Sequence, residues 1–274
     1  MSARIGVSVA TAVLLSAAAG FVPAAAETTV CWGVEATIVG SSRSDRLIGT
    51  PKNDVIAGLG GGDVIRGRGG RDKICGGGGD DKLVGNRGRD KMWGDYGRDV
   101  LRGGLGSDLL LGDNVESGGA PDRLFGQRGD DELHGDNADF GANDFLKGGR
   151  GDDVLFGDST SYLPGGDDVL LGGRGRDRLI GDGAGQDIDN GGGGGSDVLR
   201  GGPGPDTLVG DSIPSGSPGG DDLLKGGLGN DDLKGEDGAD DLDGGMGTNQ
   251  NDGGSGYDSC LNPDTDGGAV DCES

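Results

Sequence analysis

The chain has 274 residues, of which 67 are glycine, 31% are hydrophobic and 4% are aromatic. That composition leaves too little apolar volume for a conventional packed core of this length. A formal net charge of −24 at pH 7 argues against nucleic acid and anionic membranes as partners, and leaves either a disordered polyanion or one that takes up cations.

The chain opens on a leader-like stretch. Arg4 precedes an apolar run from Ile5 to Val22, and Ala24-Ala25-Ala26 stands before Glu27. This pattern predicts a secretory signal peptide over residues 1–26, cleavage near Glu27 and a secreted, extracellular mature chain. A membrane anchor is the alternative, against which a short h-region rich in small residues weighs. No later segment is apolar enough to span a bilayer. Residues 27–44 follow as an N-terminal cap with strand character. Cys31, Cys75, Cys260 and Cys272 form an even set, which in an exported chain predicts disulfides. Pairing Cys31 with Cys75 and Cys260 with Cys272 puts one bridge near each end. Zinc is the alternative, but the spacings do not suit it and the one histidine, His134, is remote in sequence.

From Asp45 a repeat takes over. Aligned on Asp-x-apolar-x-Gly, units begin at Asp45, Asp54, Asp63, Asp72, Asp81, Asp90, Asp99 and Asp108 without a break in spacing. They continue at Asp122, Asp131, Asp144, Asp153, Asp168, Asp177, Asp197, Asp206, Asp222, Asp231 and Asp240, and the frame decays at Asn249 and Asp258. Leu, Ile or Met stands two residues after each Asp up to Asp240. Alternate side chains of a strand face opposite sides, so this apolar residue builds one inward stripe while its neighbours point outward. The glycine-rich half suits tight turns with φ > 0. An EF-hand fails for want of a D-x-D-x-D-G loop followed by Glu, and collagen fails because Gly does not recur every third residue. Ordinary Asp-Gly turn chemistry accounts for isolated pairs, not for an array with apolar residues in register.

Fuller copies such as GGRGRDRLI (Gly172 to Ile180) and GGLGNDDLK (Gly226 to Lys234) resemble the nonapeptide G-G-x-G-x-D-x-U-x of RTX, or haemolysin-type, calcium-binding proteins, where U is a large apolar residue. The resemblance covers roughly residues 45–262. It implies an all-β fold, a right-handed parallel β-roll of about twenty-one units at two per coil, or about ten coils; solenoids need capped ends, and residues 263–274, tied by Cys272, are expected to form the C-terminal cap. It also implies multiple Ca2+ ions. Each would be bracketed by the Asp of one turn and the Asp two units later, with glycine-loop carbonyls completing the shell. Carried over residue by residue, the ligands are Asp63, Asp72, Asp81, Asp90, Asp99, Asp108, Asp131, Asp153, Asp168, Asp177, Asp197, Asp206, Asp222, Asp231 and Asp240. Asp45, Asp54, Asp122 and Asp144 are weaker candidates, because Arg43, Lys52, Ala120 and Ala142 replace the glycine two places before them. Asp258 is weaker because its unit has lost the frame. Arg71, Arg89, Arg98 and Arg176, each just before an Asp, are expected to face solvent. The physics agrees with a cation requirement. Each coil buries only two apolar side chains against the ordering of its whole backbone, and carboxylates of successive coils repel; a divalent ion answers both.

Counted from Asp45, the lengthened connections follow the even units at Asp108, Asp131, Asp153, Asp177 and Asp206, which predicts that all protrude from one edge. Each opens with Gly-Asp, and Asp113, Asp136, Asp158, Asp182 and Asp211 are either added ligands or Asx-turn caps. The outward place after the apolar residue is largely apolar in even units (Ala57, Cys75, Trp93, Leu111, His134, Phe156, Ile180, Val209). In odd units it is dotted with cations (Arg66, Arg102, Lys147, Arg200, Lys225). The excursions are expected to fold over the apolar row, with Tyr162 and Leu163 above Phe156; a docking or self-association surface is the alternative. A Cys31–Cys75 bridge would strap the N-terminal segment across the first coils. No H-E-x-x-H or G-x-S-x-G motif occurs, and almost no chain remains for a catalytic domain. The sequence reads as a secreted, non-catalytic calcium-binding repeat protein that folds on binding its ions. A calcium-dependent adhesion module for a cell-surface or matrix partner is the alternative.

Overall fold

The computed structural model describes residues 29–113, 119–136, 141–158, 165–183, 194–212, 219–261, 269–270 and 272. The expected signal peptide, Tyr162, Leu163 and most of the expected C-terminal cap lie outside the described residues. Among the described residues every regular element is a strand.

Each repeat unit forms one short parallel strand. Val55–Gly60 pairs with Lys73–Gly78, with Ile56 opposite Ile74. The strand between them in sequence, Val64–Gly69, pairs instead with Lys82–Arg87, with Ile65 opposite Leu83. Successive units therefore alternate between two sheets, one of 11 strands and one of 12, and the chain is a parallel β-roll. The strands run slightly past the repeat at both ends. Ile38–Val39 joins the larger sheet beside Val55–Gly60, and Ala269–Val270 joins it beside Gln250–Ser255.

The strand period explains the interior. Three alternate positions of each unit face inward: the Asp, the apolar residue and the Gly after it, as with Asp63, Ile65 and Gly67, all buried. The apolar residues stack in one column that opens with Ile56, Ile65, Ile74, Leu83, Met92 and Leu101 and runs to Leu242, all fully buried. The column is one side chain per strand. Each contributes about 1.5–3 kcal/mol, so no coil holds an apolar reserve. At the far end Asn251 takes the inward place and its Nδ2 donates to Leu261 O at 3.0 Å.

Two turn positions have left-handed backbone. The residue two before the Asp is glycine there, as at Gly61 (φ 87°), Gly97 (φ 118°) and Gly175 (φ 142°). The residue four before the Asp shares that region but is not always glycine: Leu59 has φ 81° and Arg68 φ 82°. A side chain at φ > 0 costs about 1–2 kcal/mol, partly offset by the ~0.5–1 kcal/mol of extra chain entropy that glycine loses on folding. Arg68→Gly is therefore expected to raise stability by about 0.5–1 kcal/mol in urea denaturation at saturating calcium. Arg66→Gly, two residues away on ordinary strand backbone, should lower it by a similar amount. Equal effects of the two substitutions would refute the assignment of strain.

All five lengthened connections leave strands of the larger sheet: Leu109–Asp113, Glu132–Asp136, Val154–Asp158, Arg178–Gly183 and Thr207–Ser212. They thus leave one edge, as their parity requires. The outer apolar row of that sheet is in register from Ala57 through Cys75, Trp93, Leu111, His134, Phe156 and Ile180 to Val209. Its first members are covered by the N-terminal segment, and the expected cover by the excursions falls largely on residues outside those described. Val30–Cys31 and Val34–Glu35 form an antiparallel hairpin with φ > 0 at Trp32 and Gly33, the backbone of a two-residue type I′ turn. Cys31 is bridged to Cys75, and the Trp32 ring lies 5.6 Å from that of Trp93. Trp93 is 1% exposed and Ile180 4%, whereas Leu111, His134, Phe156 and Val209 are half-buried. His134 stacks on Phe156 at 4.8 Å. The second bridge joins Cys260 to Cys272.

Candidate metal centres

The repeat Asp residues form two buried ladders, one on each edge. On the edge with excursions, Asp45 N donates to Asp63 Oδ1 at 2.7 Å and Asp63 N to Asp81 Oδ1 at 2.6 Å. The series continues through Asp99, Asp122, Asp144, Asp168, Asp197, Asp222 and Asp240 to Asp258, each step at 2.7–2.9 Å. On the plain edge the same bond links Asp54, Asp72, Asp90, Asp108, Asp131, Asp153, Asp177, Asp206 and Asp231 at 2.8–2.9 Å. It ends at Asn249, at 3.0 Å. Sequence neighbours such as Asp153 and Asp168 therefore lie on opposite edges, and residues two units apart lie together.

This bond uses only one carboxylate oxygen. From Asp63 onward the second, Oδ2, is buried and has no hydrogen-bond partner in any repeat Asp of either ladder. Asn249 shows what that place accepts. Its Oδ1 takes the ladder bond, and its Nδ2, standing where Oδ2 stands elsewhere, donates to Gly245 O at 3.4 Å. An Asp in the same place sets an acceptor against a carbonyl, two groups that need a cation or a proton between them. The glycine after the apolar residue leaves that space open. A Cβ on Gly58 would collide with Asp63 Oδ2 and Gly76 O, and one on Gly112 with Asp122 Oδ2 and Gly135 O. The donor set is hard oxygen throughout, carboxylate plus carbonyl, which suits calcium and not a soft metal.

Asp45 and Asp54 differ from the rest. Ser41 N and Oγ donate to Asp45 Oδ2 at 2.6 and 2.8 Å, and Thr50 N and Oγ1 donate to Asp54 Oδ2 at 2.6 and 3.0 Å. Their second oxygens are already satisfied within the chain. Arg71, Arg89, Arg98 and Arg176 are exposed.

Electrostatics separates the edges further where the excursions lie, whereas Asp81 and Asp240 on the same edge rise only to about 7 and about 6. For the ladder carboxyls from Asp63 to Asp240 burial is the largest cause of the shift and raises each above its ordinary value. On the plain edge Asp72, Asp131 and Asp177 rise to about 6 and Asp108, Asp153 and Asp206 to about 7. On the excursion edge Asp99 and Asp222 rise to about 9 and Asp122 to about 11, with like-charged neighbours adding to desolvation. Asp144, Asp168 and Asp197 are pushed well above the carboxylate range for the same two reasons.

The added charge on that edge comes from Asp113, Asp136, Asp158, Asp182 and Asp211, which among the described residues bring together four groups of three buried carboxylates. These are Asp99 with Asp113 and Asp122; Asp122 with Asp136 and Asp144; Asp158 with Asp168 and Asp182; and Asp182 with Asp197 and Asp211. Asp122 and Asp144 stand inside these groups. Ala120 and Ala142 are absent from the left-handed backbone positions, as are Gly166, Gly195 and Gly220 at the same place in later excursions. Lengthening the connection removes the left-handed backbone there and accommodates alanine at 120 and 142, although a Cβ on Gly166, Gly195 or Gly220 would still meet a carbonyl of the preceding coil. Asp95 is a residue that loop length alone did not reveal. It follows Gly94 as Asp113 follows Gly112, is buried, and has its carboxyl raised by burial to about 6. The Gly-Asp pair after an even strand, read without regard to loop length, would have found it.

The family model described as RTX calcium-binding nonapeptide repeat (4 copies) matches residues 39–74, 76–110, 112–139, 140–160, 165–188, 191–212 and 219–250, well over half of the chain. No curated protein matches it.

Proposed function

The chain belongs to the RTX calcium-binding nonapeptide repeat family, and from that membership we propose that it is an extracellular, non-catalytic protein whose roll is completed by calcium between successive coils. The observation that carries this reading is the unbroken row of buried, unpartnered Asp Oδ2 atoms. An unpaired buried carboxylate is among the costliest groups a fold can hold. Bound calcium supplies positive charge and accepts six to eight oxygens. The chain supplies the rest: the ladder bond orients each carboxylate, the glycine keeps the approach open, and the apolar column fixes the spacing of coils. Two disulfides in one chain suit an oxidising compartment, in keeping with the leader read at residues 1–26.

Sites of this kind in extracellular modules bind at about 10⁻⁴–10⁻³ M, so the mature chain is expected to fold as it meets extracellular calcium. Binding to the folded state alone makes stability depend on calcium concentration. Circular dichroism of the chain freed of residues 1–26 should show a cooperative gain of β signal as calcium rises into the millimolar range. A flat titration would refute the reading.

A further inference from the structure

Asp113, Asp136, Asp158, Asp182 and Asp211 lie outside the nonapeptide unit. They form a ladder of their own, Asp113 in register with Asp136, Asp136 with Asp158, Asp158 with Asp182 and Asp182 with Asp211. Each is at most 2% exposed. One oxygen of each has an evident structural task. Oδ2 accepts the turn amide of Ala120, Ala142, Gly166, Gly195 or Gly220 at 2.6–2.7 Å. That bond explains the Asx-like closure of the excursion and leaves the other oxygen unexplained. Oδ1 of all five is buried without a partner that meets hydrogen-bond geometry; the Asp113 amide lies near the Asp136 carboxyl, and the Asp158 and Asp182 carboxyls lie against each other.

The plain edge has nothing comparable. The residues at the same place after its strands are Arg68, Asn86, Gly104, Gln127 and Gly149. There, one carboxylate per coil leaves a divalent ion half-neutralised. Across the excursions, two carboxylates per coil match its charge, and three converge at one place. Within each group of three, one oxygen from each residue lies within 4.8 Å of the others, inside the ~5 Å that opposite ligands of a calcium ion span.

We propose that the excursion edge carries a second class of cation sites, framed by the four carboxylate triplets and built with Asp113, Asp136, Asp158, Asp182 and Asp211, that takes calcium-sized divalent ions more tightly than the single-Asp sites of the plain edge. The proposal rests on the reading of the roll as a calcium binder and adds to the repeat ligands a carboxylate that the repeat motif does not encode. Asp122 and Asp182 each belong to two triplets, so neighbouring sites share a ligand.

The test is isothermal titration of the full chain with calcium, with bound calcium counted by equilibrium dialysis. Wild type should show two affinity classes. Asp158→Asn with Asp182→Asn keeps an amide oxygen for the Gly166 and Gly195 N–H groups and removes only charge. It should weaken the tighter class at these triplets by about tenfold or more, since ligand charge sets affinity, and leave the weaker class and the calcium-saturated β signal unchanged. Asp153→Asn, on the plain edge, should deplete the weaker class alone. If the double variant does not fold, Asp113→Asn at the first triplet gives the same readout. An unchanged tighter class, or equal loss from both classes, overturns this inference while leaving calcium binding intact. A wild-type chain that takes up no calcium overturns the broader reading instead.

Discussion

Stripped of calcium near neutral pH, the chain is expected to lose its β-roll, and acidification to about pH 5 should restore it without any metal. The reason is the sign of the shifts. Carboxyls raised above their unfolded value of about 4 bind protons more tightly in the roll than in the open chain. Their contribution to stability is therefore fully present below about pH 4 and is lost as pH rises through the folded values. Those values are about 6 to 7 on the plain edge and reach about 9 at Asp99 and Asp222. A proton and a calcium ion answer the same deficit, an acceptor facing an acceptor, at different pH. Calcium should accordingly displace protons when it binds at pH 7, seen as a dependence of the titration heat on the ionisation enthalpy of the buffer. Its midpoint should rise as pH falls toward 5 while the β signal persists. A metal-free chain that is folded at pH 7.5 and unfolds on acidification would refute the argument, because it would mean that the buried carboxylates are stable as anions.

The alternation of sheets, the single apolar column, the edge from which the excursions leave and both disulfide pairs were legible in the sequence. All of these follow from period and parity: two residues per strand repeat, nine per unit, two units per coil. Features set by a few atoms at one place were not. The Ser41 and Thr50 hydroxyls that satisfy Asp45 and Asp54 look like ordinary turn residues, while the cations at Arg43 and Lys52, which drew attention, play no part in those bonds. The alanines at 120 and 142 looked like defects because regular turns need glycine there, and only the altered backbone of a lengthened turn shows that they are not. Asp95 escaped because loop length, rather than the Gly-Asp pair, marked the second carboxylate row. The cover on Trp93 came from Trp32 across the bridge, a contact between residues with no shared period.

These local differences give the N-terminal coils a separate source of stability, and the second large effect is expected there. Asp45 and Asp54 each have one carboxylate oxygen already held by Ser41 or Thr50, so calcium is expected to grip the roll fully only from about Asp63 onward. What holds the first strands is the bridge from Cys31 to Cys75, 44 residues apart, with the tryptophan pair and Lys91 Nζ placed 5.1 Å over the Trp32 ring. Closing a loop of that length contributes about 4 kcal/mol on chain-entropy grounds. In a solenoid each coil leans only on its neighbours, so the loss should stay local. Replacing Cys31 and Cys75 together by serine should make amides of strands Ile38–Val39 and Val55–Gly60 exchange as if their opening were easier by about 4 kcal/mol, with a red-shifted tryptophan emission as Trp93 meets water. Strands beyond about Asp108 should keep their protection at saturating calcium. If protection falls evenly along the roll, the strap is part of one cooperative unit. If it falls nowhere, the tryptophan contact alone suffices. The local outcome alone fits a molecule whose calcium-poor end is held by a covalent bond.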